Sequence, residues 1–144
     1  MNKIYKYQTD FDEIKNVCNC PQSEYFEYSE KESFRFVFSD NTHPNNFLPP
    51  AKINPKRYLS KSELERCEAL GLSMYGKKSG AIHKFNDLIT TFKNFKKVIG
   101  THIAIGIIEK EDGHITDEDE ITHFDMYEFK DIDLSKKFNI IEEL

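Results

Sequence analysis

The stretch AIHKFNDLITTFKNFKKVIGTHIAIGII, residues 81–108, decides the fold class. Ile82, Phe85, Leu88, Ile89, Phe92, Phe95 and Ile99 step by three and four, which lays them along one side of a helix. Lys84, Lys93, Lys96 and Lys97 fall mostly on its other faces, and Gly100 supplies the stop. From Thr101 to Ile108 that period is lost, and the dense isoleucines read as a buried strand. A helix over about 81–99 running straight into a strand calls for both element types in one core.

On the N-terminal side, Ser62-Glu63-Leu64-Glu65 has the spacing of a capping box, so a helix over about 62–70 should run until Gly71. Leu72-Ser73-Met74-Tyr75 reads as a short strand, ended by Gly76-Lys77-Lys78-Ser79-Gly80. Ser33 to Phe38 is a further strand, with Phe34, Phe36 and Phe38 on one face and Arg35 and Val37 on the other. Between these, residues 40–57 carry Pro44, Pro49, Pro50, Pro55 and four asparagines, which predicts a long loop. Residues 3–8 suggest a short strand and Phe11 to Val17 a short helix, whereas 21–32 carry no assignable pattern. On the C-terminal side, Asp112-Gly113 turns the chain, Ile121 to Phe129 is another strand, and a tail with Phe138, Ile140 and Ile141 closes the domain. The expectation is a single α+β domain over 1–144 with a mostly antiparallel sheet and two main helices.

The 144 residues suit one domain, and twelve Phe and seven Tyr supply the means to build its core. A net charge of −5 gives no signal for nucleic acid or anionic lipid. No run approaches the ~20 apolar residues of a membrane span. Three cysteines (Cys18, Cys20 and Cys67), with no signal-peptide pattern ahead of them, read as free thiols in a reducing, cytoplasmic setting. The acidic run around Asp117, Glu118, Asp119 and Glu120, with His114 close by, lacks the alternation of a calcium loop, and no metal is predicted from it. His114, His123 and Asp125 form the nearest histidine cluster, without zinc-hydrolase spacing.

Three separate stretches carry the remaining chemistry: Arg35 in mid-strand, Ser73 and Tyr75 on a second strand that feeds a helix, and Glu128 on a late strand. In this order they resemble the Arg–Ser–Glu layout of mono-ADP-ribosyltransferase-like folds. The middle motif is Leu72-Ser73-Met74 rather than Ser-Thr-Ser, and no acid stands two residues before Glu128. The resemblance implies that Arg35 binds a phosphate of NAD and that Ser73 and Tyr75 shape the pocket. It further implies that Glu128, with His123, serves the reacting ribose, and that 40–57 faces the substrate as a lid. A forked cation suits a diphosphate, and a carboxylate stabilises a sugar carbon that gains positive charge. The expected activity is that of a small transferase acting on NAD or a related nucleotide, in the manner of a toxin or defence effector. The rival expectation is a noncatalytic acidic interaction protein (an immunity protein, antitoxin or inhibitor) that anchors a protein partner through Tyr and Phe.

Overall fold

In the computed structural model the described residues are 4–15, 20, 21 and 30–144; residues 22–29 of the unassigned stretch, Cys18, and the ends of the two N-terminal elements expected over 3–8 and 11–17 lie outside them. In chain order the elements are α1 (Gln8–Asp12), β1 (Glu30–Val37), a 3-10 turn (Pro44–Phe47), α2 (Pro50–Ile53), α3 (Pro55–Leu59) and α4 (Glu63–Ala69). There follow β2 (Leu72–Tyr75), α5 (Lys78–Thr91), α6 (Phe95–Val98), β3 (His102–Glu109), β4 (Gly113–Ile115), β5 (His123–Glu128), a second 3-10 turn (Leu134–Lys136) and β6 (Phe138–Glu143). The six strands form one sheet in the order β4-β5-β2-β1-β3-β6, with every pairing antiparallel. The α+β class is therefore as expected.

Local chemistry explains most boundaries. Ser62 caps α4 as its spacing predicts: its Oγ accepts the Glu65 N–H at 3.3 Å and donates to Glu65 Oε1 at 2.9 Å. The stretch 40–57 contains no strand, but it is not irregular throughout. Proline sits in the first turn of the 3-10 segment, of α2 and of α3, where its missing N–H would have had no partner in any case. The long amphipathic stretch divides: α5 ends at Thr91, Phe92 is extended, and α6 restarts after Asn94. Two β-branched threonines lower helix propensity at that point. The break lets Phe95 turn inward, fully buried, with its ring 5.3 Å from that of Phe36 and 5.5 Å from that of Phe85.

Register fixes the two faces of the sheet. Phe34 pairs with Tyr75 and Ile105, Ser73 with Asp125, and Tyr75 with His123, so these side chains share the face on which α5 and α6 pack. The opposite face carries Val37, Leu72, Met74, Phe124 and Met126, and is closed by Leu134, Phe138 and Phe47. A third cluster joins α1, α3 and α4 to Tyr127 through Phe11, Tyr58 and Leu70. Within it Cys20 and Cys67 are bonded as a disulfide, which corrects the expectation of free thiols for two of the three cysteines. Which sulfurs meet is decided by the packing of α4 against the N-terminal part, which an odd cysteine count does not encode. No helix among the described residues is long and apolar enough to cross a membrane.

Candidate functional site

On its helical face the sheet is covered at one end by α5 and α6 and at the other by the helices around Tyr58. Between them lies a hollow of about 440 Å³. Its floor is made by Phe36 of β1, Ser73 and Tyr75 of β2, and His123 of β5. Leu88, Phe92, Phe95 and Ile99 form an apolar wall; Pro50 and Ile53 of α2 and Leu48 form the facing one. Asp119, Ile121 and Lys84 stand at the rim.

The polar end is built on the turn that precedes β5. Asp119 Oδ1 accepts the backbone N–H groups of Ile121 and His123, each at 2.9 Å, and the Asp119 carbonyl accepts that of Thr122 at 3.0 Å. Thr122 takes a positive φ of 65°, an uncommon conformation for a β-branched residue and one that needs support from its surroundings. The support comes from the β2–α5 junction, where Gly76 N–H donates to the Thr122 carbonyl at 2.8 Å and Lys77 N–H to Thr122 Oγ1 at 3.1 Å. Gly80 completes the fit, because a Cβ there would lie 2.0 Å from the Ile121 carbonyl oxygen. The turn is thereby clamped, and it aims the His123 ring across the sheet.

His123 Nε2 lies 2.6 Å from Ser73 Oγ and 3.7 Å from Asp125 Oδ1, while Nδ1 has Asp119 Oδ2 at 3.8 Å. The Tyr75 ring meets the imidazole edge-on at 5.3 Å. Burial holds the His123 pKa below the usual histidine range, so at neutral pH the ring is an uncharged base. Burial, with Glu68 and Asp119 adding to it, raises Asp125 to about 7. Tyr75 is pushed well above the ordinary phenol range, again by burial, and remains protonated.

The residues singled out from sequence divide between the two faces. Ser73, Tyr75 and His123 come together in the hollow. Arg35 projects from the other side of β1, into the place where β1 and β2 share only the pair Phe34 and Tyr75. Its Nε donates to the Asn46 carbonyl at 2.7 Å, Nη1 to that of Ser73 at 2.7 Å, and Nη2 to that of Leu48 at 3.4 Å. The guanidinium thus pins 46–48 to β2 and borders the hollow as a buried cation, its pKa lowered by burial to about 10 and so still charged at neutral pH. Glu128 shares the Arg35 side of the sheet. It is almost fully buried and paired with Lys6 Nζ at 2.6 Å, its Oε1 has no hydrogen-bond partner among the described residues, and burial raises its pKa.

Asp119 is the site residue that the sequence did not single out. It lies in an acidic run that reads as solvated, and its signal is local: an acid four residues before a histidine, across a turn that its own side chain closes. No group of His, Cys, Asp and Glu among the described residues is arranged to hold a metal ion. Comparison of the chain with protein-family models finds none that matches, and searches of curated proteins and of solved structures return no match.

Proposed function

We propose that the chain is an ADP-ribosyltransferase-like enzyme that binds NAD or a related nucleotide in the hollow on the helical face. The observation that carries this reading is the adjacency of β5, β2 and β1 beneath a cavity of about 440 Å³ with apolar walls, His123 and Ser73 on its floor and Asp119 at its rim. The wall of Leu88, Phe92 and Ile99, with Tyr75, suits a planar base. In this reading Asp119 supplies the carboxylate that meets the positive charge developing on a ribose carbon as the glycosidic C–N bond breaks; its place at the rim of the hollow supports that role. It takes the part that the resemblance assigns to Glu128, whose carboxylate is committed to Lys6 on the other side of the sheet. Arg35 contributes a fixed positive charge at the border rather than a free fork.

The test is nicotinamide release from NAD, and transfer of labelled ADP-ribose to proteins of a lysate. Wild type and Glu128→Gln should both release nicotinamide, whereas Asp119→Asn and His123→Gln should lose at least about 100-fold in rate, the low end of what a positioned group contributes. No release and no NAD binding by the folded wild type would end this reading.

A noncatalytic interaction protein is the second reading. Its support is the exposure of Leu59 (66%) and Leu64 (48%), on helices tied together by the bond from Arg66 Nη2 to the Leu59 carbonyl. A partner that copurifies with wild type and is lost on Leu59→Ser and Leu64→Ser would favour it. The expected cytoplasmic location stands against the Cys20–Cys67 bond, since such bonds persist mainly in oxidising compartments. Thiol alkylation in intact cells decides between them.

A further inference from the structure

Ser73 Oγ, His123 Nε2 and, beyond the ring, Nδ1 and the Asp119 carboxylate form a chain with spacings of 2.6 and 3.8 Å. A hydroxyl on an imidazole whose far nitrogen faces a carboxylate is the arrangement that activates a nucleophile, on whatever fold it occurs. Asp119 is itself held by two backbone N–H groups, so its carboxylate is not free to swing away from the Nδ1 side of the ring. The Arg35 guanidinium donates to the Ser73 carbonyl from the other side of the sheet and so holds the backbone that carries the hydroxyl. In front of Ser73 the hollow is apolar, walled by Leu88, Phe92 and Ile99.

We infer that Ser73 is a nucleophile with His123 as its general base, and that the hollow transfers the acyl group of esters of apolar carboxylic acids to water. This goes beyond the nucleotide reading and does not need it. The Ser73 oxygen attacks the ester carbonyl carbon while His123 Nε2 takes the hydroxyl proton. The C–O bond to the leaving alcohol then breaks, and that proton passes from His123 to the departing oxygen. Water attacks the acyl-serine with His123 again taking a proton, the acid leaves, and the proton returns to Ser73. The groups facing the ring are Asp119 on the turn, Asp125 on β5, Ser73 and Tyr75 on β2, and Lys84 on α5.

The experiment treats the full, oxidised chain with a fluorophosphonate probe and, separately, with p-nitrophenyl butyrate, and maps the adduct by peptide mass spectrometry. The expected result is one adduct, on Ser73, and hydrolysis that declines as pH falls and His123 becomes protonated. Ser73→Ala should abolish both, and His123→Gln should slow both by about 100-fold or more, with far-UV circular dichroism unchanged. If Ser73→Ala does not fold, Ser73→Cys serves: its thiol should react with iodoacetamide faster than glutathione does, and lose that advantage when combined with His123→Gln. A folded wild type with no adduct, an adduct elsewhere, or hydrolysis unaffected by Ser73→Ala overturns the inference. Nicotinamide release, measured on the same preparations, reports on the nucleotide reading independently.

Discussion

Asp125 pairs across the sheet with Ser73, and its carboxylate is mostly withdrawn from water beside two other acids. Its pKa rises from an ordinary 3.8 to about 7, with burial as the main cause. Across that window the folded protein holds a proton that the unfolded chain has released, so stability falls as pH rises from about 4 to 7 and the loss persists above it. Asp125→Asn removes the penalty. Each tenfold change in proton affinity is worth about 1.4 kcal/mol, so the substitution should stabilise the protein at pH 8 by up to about 4 kcal/mol and have little effect at pH 4. Urea unfolding at the two pH values checks this, and an equal effect at both would refute the assignment. The same residue bears on why His123 keeps two carboxylates near it without forming a strong ion pair: near neutrality Asp125 is only partly ionised, and the ring itself is neutral.

At the scale of elements, the turn from Asp119 to His123 is only as well placed as the first turn of α5 allows. Gly80→Ala would drive a methyl into the Ile121 carbonyl, so either α5 or the turn must shift. We expect a loss of about 1–3 kcal/mol, in the range of overpacked sites, and a larger effect on ligand binding than on circular dichroism. Thermal unfolding and a binding titration measure the two; binding unchanged in a destabilised protein would show that the turn is not what aims His123.

Elements of this kind are readable in sequence to different degrees. The helix over 62–70 announces itself by its capping box, β1, β3 and β5 by β-branched or aromatic runs, and β2 by a short apolar run between Gly71 and Gly76. The three residues of β4 are too few to show a period. The alternation in β6 is that of an edge strand, exposed at every second position, and it reads only as an apolar tail. The break at Phe92 is hidden because Phe92, Phe95 and Ile99 keep helical spacing through it; tertiary packing of Phe95, not local pattern, decides where the helix turns. Of the site, Ser73, Tyr75 and His123 are legible as polar or aromatic residues on strands. Which face each one points to depends on register, and register places Arg35 and Glu128 on the opposite side.

For the molecule as a whole, two sets of helices flank one sheet and leave the hollow between them, and the Cys20–Cys67 bond ties the N-terminal part to α4 on one side of it. The bond closes a loop spanning 47 residues, for which chain entropy predicts a stabilisation of about 4 kcal/mol. Reduction should therefore lower the denaturant midpoint markedly, as should Cys67→Ala; a midpoint insensitive to reductant would mean that the bond does not constrain the fold. The central claim, that the hollow at the meeting of β5, β2 and β1 is where a nucleotide binds, is tested most directly by following the imidazole resonances of the five histidines during titration with NAD. Saturable shifts of the His123 ring are expected, with His114, whose ring is bonded to the Tyr5 hydroxyl elsewhere on the sheet, unmoved. A His123 signal that stays in place while NAD binds, or the absence of any shift at millimolar NAD, would contradict it.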